Sequence, residues 1–438
     1  MIPERLSSAL TNVRALQIFQ LLRQGGLILV AVLLAKSTLS PAEVGTYEML
    51  LYVGYLLTFF WVAGALQALL SYYPTLEAAD QAAIVFQAFL VFTGMSLACG
   101  ALLWFFPEFI LQLLVQRSSL AFAGLFALFL VTNIPASLQE YFYLLQDRPL
   151  AILVYGLASA TAQLLAVGLP PVLGMDFRWS FVALAGVGIA KGLILVRFVL
   201  VYGRWSWSVG LLRAWWLLAA PLMAYTLLGV ANQSVGPWMV GYFFDGSAAE
   251  FAIYRYGARE LPLLAALTGA VASGVIPFLA RDLKAGSEHL KKEARQLYHL
   301  LFPVSIVLLL TSRWWFVWVF AATYAPSIVL FNTFLLLTPV HLIFARTVLV
   351  ARQDTRWVPL FALGSMALNI IFCLLMTPVL GMPGIALSGV LAFGLEKAGL
   401  VIYLWRWHGV PWSVYTDLRW WWGYTLLLLI AFAVASGF

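Results

Sequence analysis

Arg23, Arg255 and Arg259 each fall in a long apolar stretch where almost nothing else is charged. In hydrocarbon an ionised side chain needs a partner, a ligand or a water-filled cavity, so each such charge marks a candidate site. Arg255 and Arg259 are four residues apart, and on one helix they share a face, where like charges repel unless something negative meets them. A bound anion would serve, because guanidinium forks grip its oxygens bidentately and replace their water. The acids at comparable depth are Glu48 and Glu260, each able to bridge an arginine internally or to carry a coupling proton or ion. Gln17, Gln20, Arg23 and Gln24 recur at helical spacing, giving one polar face on an apolar helix. That face should line a cavity or the other half of the protein rather than lipid. Asn232, Gln233 and Ser234 precede Gly236-Pro237, a polar patch beside an expected kink that suits either a moving gate or a static bend. Lys191 and Lys397 add one base each at depth, to serve a ligand or to bridge a neighbour such as Glu396. Glu140, Arg197, Arg313 and Arg346 lie nearer the ends of apolar stretches and read as anchors at the interface.

No catalytic constellation stands beside these residues. His289, His299, His341 and His408 are scattered without zinc-type spacing, and no glycine loop is built to cradle a nucleotide. Neither an enzyme nor a bound cofactor is expected, so energy would come from a proton or ion gradient or the membrane potential. Cys99 and Cys373 lie in apolar stretches and read as packing residues.

The elements that position these groups are membrane spans. A chain of 438 residues that is 63% apolar and only 10% charged would not be tolerated by water on its surface. Thirteen apolar stretches of spanning length are read at about 15–36, 44–73, 82–106, 119–145, 150–171, 180–202, 214–242, 248–280, 297–320, 326–350, 357–378, 383–405 and 420–437. The expected fold class is therefore all-α, a polytopic integral membrane protein. The longest loop is expected at 281–296. With the N-terminus in the cytoplasm, 14 basic residues fall on inner segments and three, Lys36, Arg117 and Arg178, on outer loops. This bias sets the orientation and places the C-terminus outside. It also assigns the net charge of +7 to membrane topology rather than to nucleic acid.

An internal repeat organises the spans. Pro171-Val-Leu-Gly-Met175 returns as Pro378-Val-Leu-Gly-Met382, 207 residues on. Ser40 to Tyr47 is echoed by Ser247 to Tyr254, and Gln146-Asp147 by Gln353-Asp354. After one lost residue, Lys191 pairs with Lys397 and Leu212-Arg213 with Leu418-Arg419. Six spans per copy make the repeats parallel, related by an axis along the membrane normal. The expected division is an N-lobe at 1–206, a C-lobe at 207–412 and one extra helix at 413–438, whose Arg419-Trp-Trp-Trp422 echoes Arg213-Ala-Trp-Trp216.

The run LLRQGGLILVAVLLAKSTLSPAEVGTYEMLLYVGYLLTFFWVAGALQALLSYY, with its glycine pair, Leu-Ser-Pro-x-x-x-Gly-x-Tyr and aromatic helix, resembles the polysaccharide flippases of the multidrug/oligosaccharidyl-lipid/polysaccharide exporter superfamily. The resemblance implies two lobes of six helices around a central cavity lined by spans one, two, seven and eight. It implies a lipid-linked oligosaccharide, carried on polyprenyl diphosphate, moved by alternating access in a bacterial inner membrane for O-antigen, capsule or exopolysaccharide. Arg23 and the pair Arg255 and Arg259 match positions where the related peptidoglycan-precursor flippases place arginines. Span two departs, with Glu48 and no arginine. Tyr52, Tyr55 and Trp61 could stack on sugar. A monomer among membrane lipids is expected, with contact to polysaccharide assembly enzymes. The alternatives are a peptidoglycan-precursor flippase, a drug or cation antiporter of the same superfamily, or a membrane-embedded sugar polymerase or ligase.

Overall fold

The computed structural model describes residues 12–259 and 262–436. Glu260 and the side chains of Gln17 and Gln20 lie outside what is described. The chain is all-helical, and among the described residues ten helices are long and apolar enough to cross a membrane. Span one at Asn12–Lys36, span four and span eight bring the expected thirteen into view. Span four breaks after Ala136 and resumes at Leu138–Leu145, because Pro135 cannot donate to the helix ladder. The hydroxyl of Tyr155 in span five donates to the carbonyl of Ala136, the last residue before the break, at 3.1 Å.

Span eight departs from expectation. The sequence predicts one continuous helix carrying Arg255 and Arg259 on a single face. The structure has two pieces, Ala248–Gly257 and Pro262–Arg281, and Arg259 lies beyond the end of the first. Pro262 fits the first turn of a new helix and cannot extend the old one. The expected loop at 281–296 is also helix. Asp282 accepts from the backbone N–H groups of Lys284 and Ala285, and the helix so capped runs Leu283–Phe320 without a stop. At 1.5 Å per residue it is about 57 Å long, so its basic end must protrude from a hydrocarbon core of roughly 30 Å.

The contacts divide the chain into two compact units, residues 1–230 with 245–249, and 231–244 with 250–438. Span seven, Val209–Phe243, passes from the first unit to the second at Val230. In the first unit, span one lies on span five (Pro149–Val172). Gly156 is obligatory there, since a Cβ would collide with the ring of Phe19. Without a hydrophobic drive between helices in lipid, such close approach is what holds them. Trp61, Phe92, Phe142, Phe198 and Trp215 form an aromatic core beside it. Trp61 is 1% exposed and packs edge-on to Phe92 at 5.3 Å, so it is a core residue and not a sugar platform. Tyr52 is buried as well. The capping box at Ser40 and Glu43 starts span two as expected, with Ser40 N–H donating to Glu43 at 2.8 Å.

In the second unit, spans eleven and twelve, Val358–Leu380 and Met382–His408, form a tight hairpin around Gly381. The helix Leu418–Ser436 lies along span nine, with Tyr424 hydrogen-bonded to His299 at 2.9 Å and Arg313 donating to the carbonyl of Ala435 at 2.8 Å. The indole N–H of Trp421 donates to Pro339, as that of Trp215 donates to Ala65 in the first unit.

The repeat is visible in backbone geometry. Asp147 and Gln353, 206 residues apart, both take a left-handed turn before the fifth helix of their lobe, at φ 57° and 59°. The Gln-Asp dipeptides therefore match as letters but slip by one in structure. The next residue of each turn is tied to the end of the lobe's sixth helix. Arg148 donates to the hydroxyl of Tyr202 at 2.8 Å, and Asp354 holds His408 at 2.8 Å and accepts from Tyr403 at 2.7 Å. Those bonds from Tyr403 and His408 hold the Asp354 carboxyl below the usual carboxylate range. A depressed carboxylate stabilises the fold above its unfolded pKa of about 3.9, and the gain is lost as pH falls through the folded value. Asp354→Asn should therefore lower the melting temperature at pH 7, and the gap to wild type should close below about pH 4. Parallel melts across that range check it.

Candidate functional site

The N-lobe gathers four polar side chains near the middle of four different helices. Arg23 lies near the centre of span one, Asn133 in span four, Gln163 in span five and Lys191 in span six (Arg178–Tyr202). Lys191 Nζ donates to Asn133 Oδ1 at 2.7 Å, and Gln163 Nε2 donates to the same oxygen at 3.3 Å. Arg23 and Gln163 face a cavity of about 70 Å³ that Tyr47, Phe129 and Leu184 close on the other sides. The guanidinium of Arg23 stands 5.9 Å from the ring of Phe19, the residue that docks span one on span five.

Glu140 completes this group. Its place along the chain suggests an interfacial anchor, yet it is 6% exposed, inside the lobe, on the helical piece that follows the break in span four. Its carboxylate lies in the electrostatic field of both Arg23 and Lys191. A carboxylate buried at this depth is sustained by such cations or by a proton. The neighbouring Gln139 is fully buried, and neither end of its amide has a hydrogen-bond partner. Gln24 is exposed on span one, while Glu48 is 3% exposed within span two, Pro41–Tyr72.

In the second unit, Arg255 is half-buried in the last turn of Ala248–Gly257. Arg259, in the break that follows, has its guanidinium 5.1 Å from the ring of Tyr256 and borders a small cleft with Phe331, Phe334 and Thr338. A break in a span exposes backbone dipoles where an ion or headgroup can use them, and irregular backbone at such depth belongs beside a cavity. Asn232 is half-buried and Gln233 exposed on the later part of span seven, followed by the buried Ser234. Lys397 in span twelve rests 4.9 Å from the ring of Phe393, next to the buried Glu396.

The structure thus brings Arg23 and Lys191 into one cluster, with Asn133, Gln163 and Glu140 as members that sequence reasoning passes over. The available signal is the pair of amides at mid-span, since an Asn and a Gln that cannot face lipid must meet another polar group.

No protein-family model and no curated protein sequence matches the chain. Solved structures do. The chain is similar to the lipid II flippase MurJ in an inward closed conformation, with a TM-score of 0.73 at 16% identity over 97% of both chains. It is similar to an inward-facing multidrug resistance MATE family transporter of the MOP superfamily, with a TM-score of 0.60 at 11% identity over 90% of this chain and 97% of that one. The MATE multidrug transporter DinF-BH gives 0.56 at 14% identity, over 94% and 97%. These likenesses establish the fold.

Proposed function

We propose that the chain is a flippase that moves a polyprenyl-diphosphate-linked oligosaccharide from the cytoplasmic to the outer leaflet of a bacterial inner membrane. The observation that carries this reading is the placement of Arg23 beside a cavity in one lobe and of Arg259 beside a cleft in the other, with Arg255 half-buried in the helix that precedes Arg259. A sugar-linked diphosphate cannot cross hydrocarbon unaided, and guanidinium groups supply the hydrogen bonds that water would otherwise give it. The prenyl tail stays in lipid throughout. Alternating access by the two lobes provides the path, with the N-terminus in the cytoplasm and the C-terminus outside, as the basic residues direct. Asn232, Gln233 and Gln24 are assigned to the polar lining that meets the sugar head.

A second reading, a flippase for a peptidoglycan precursor, is favoured by the fold match to the lipid II flippase over nearly all of both chains. Both readings share the diphosphate and differ in the sugar. A drug or cation antiporter fits less well, since its cavity should be dominated by acids.

Reconstitution decides among these. Proteoliposomes carrying a fluorescent short-prenyl diphosphate oligosaccharide should show protein-dependent access of the label to an outside quencher. Preference for a muropeptide head over a plain oligosaccharide would select the second reading. Transport of a cationic rhodamine dye, with none of the diphosphate, would sink both in favour of the antiporter.

A further inference from the structure

Span nine carries its own measure of the membrane. Trp314 and Trp318 are strongly exposed near its far end, and His299 packs edge-on to the exposed Trp420 at 4.8 Å nearer the other. Tryptophan gathers at the two faces of a bilayer. His299 and Trp318 are nineteen residues apart, about 29 Å at 1.5 Å per residue, which matches a hydrocarbon core of roughly 30 Å. The boundary at the basic end therefore falls at His299, and residues 283–298 stand beyond it.

That projecting arm is held in place. A Cβ on Gly286 would meet the backbone of Leu279 at 2.6 Å, and His289 packs on Phe278 at 4.8 Å, so the arm lies hard against the end of Pro262–Arg281. The face it turns away carries Lys284, Glu288, Lys292 and Arg295 and reaches His299, at intervals of three or four residues. Leu290, Ala294 and Tyr298 are buried on the other face. The exposed stripe is basic where it nears the boundary. Glu288 is two turns back from Arg295, Asp282 is spent on the cap, and the half-buried Glu293 lies off the stripe.

The last helix supplies the other side. Arg295 stands 3.9 Å from Asp417, too far for a hydrogen bond, so this pair leaves the donors of a half-exposed guanidinium open to another acceptor. Arg419 is exposed two residues on, directly before Trp420. Tyr424 then holds His299 at 2.9 Å. Leu427, three residues after Tyr424, and Leu310, eleven after His299, continue the same two helix faces and are exposed. The seam ends where Arg313 donates to the Ala435 carbonyl at 2.8 Å.

We propose that this seam seats one anionic phospholipid of the leaflet at the basic end, its phosphate on Lys292, Arg295 and Arg419 and its acyl chains along Leu310 and Leu427. Charge and polarity change in the order that such a lipid presents them. The cations stand at headgroup level, Trp420 and His299 at the boundary, and apolar side chains follow into the hydrocarbon. A zwitterionic lipid brings an ammonium that the three cations repel, and a soluble anion makes no use of the apolar half. Basic side chains beside a membrane surface each strengthen the hold on an anionic lipid roughly fivefold.

Native mass spectrometry of the purified full-length protein in detergent tests this, with phosphatidylglycerol and phosphatidylcholine of the same chains as probes. Wild type should retain one phosphatidylglycerol at concentrations that leave phosphatidylcholine unbound. The pair Lys292→Gln, Arg419→Gln removes two exposed side chains and should weaken retention about 25-fold. The pair Arg352→Gln, Arg406→Gln makes the same charge change at exposed sites elsewhere in this lobe and should leave retention unchanged. Equal weakening by both pairs would mean diffuse attraction and overturn the seat, as would retention by the first pair equal to wild type. Millimolar inorganic phosphate should not displace the lipid; displacement would make this an anion site without a lipid seam, which overturns the proposal equally.

Discussion

Arg259→Ala abolishes flipping of the diphosphate-linked probe while the protein still folds and inserts. Removing one partner of a desolvated ion contact costs on the order of 2–5 kcal/mol, which is roughly 30-fold to several thousand-fold in rate if the contact is made during crossing. Arg259 lies in the break of span eight, outside any helical ladder, so truncating it leaves the backbone hydrogen bonds of both helical pieces intact. Arg259→Lys restores activity only in part, since an ammonium cannot reproduce the two parallel bonds of a guanidinium. Arg255 is the sterner test, because Glu48 competes as an explanation for it. If Glu48 pairs with Arg255, Glu48→Gln is as damaging as Arg255→Gln, and the double variant recovers both stability and transport. A double variant that folds well and stays inactive assigns Arg255 to the substrate. Proteoliposome rates beside melting temperatures separate the outcomes.

The second large effect is structural. A chain ended after Thr416 loses the helix Leu418–Ser436 and with it a seam along span nine from His299 to Arg313. The losses include the His299–Tyr424 bond, the stacking of Phe302 on Tyr424 at 5.3 Å and the Trp421 bond to Pro339. Trp421 serves a carbonyl in span ten, which is divided into Ser327–Leu335, Leu337–His341 and Ala345–Ala351 and has backbone groups to satisfy at each break. Without it, the second lobe should become protease-sensitive between residues 283 and 351 while the first lobe keeps its aromatic core. Limited proteolysis of the purified fragment reads this directly, and a fragment as resistant as the full chain contradicts it.

The helical architecture is legible in the sequence because bilayer thickness leaves few choices. A stretch of twenty apolar residues with basic flanks has to be a span, and Ser40 with Glu43 announces where one starts. What escapes is anything set by a single backbone group. Pro262 is in plain sight, yet whether a proline kinks a helix or ends it depends on what neighbouring helices do with the freed carbonyls. Past Pro135 the break is likewise met from outside, by the Tyr155 hydroxyl of span five on the Ala136 carbonyl. The cytoplasm-assigned stretch 281–296 reads as loop because its charges drown the apolar positions Leu290 and Ala294, both of which are buried. Among the site residues, Arg23 is found by its cost in hydrocarbon. Glu140 is misjudged because distance from a span end is a poor guide once the span is broken and re-aimed.

The two tryptophans that donate to backbone carbonyls, Trp215 and Trp421, also say how this architecture is closed off. The first lobe is completed by the opening half of span seven, which is the first helix of the next copy. The second lobe is completed by Leu418–Ser436, which occupies the same place in the repeat. Leu426, Leu427 and Val434 on that helix are more than half exposed, a face suited to acyl chains. Each repeat thus needs a borrowed helix, as the units of a solenoid need their neighbours, and such a series is open-ended until something terminates it.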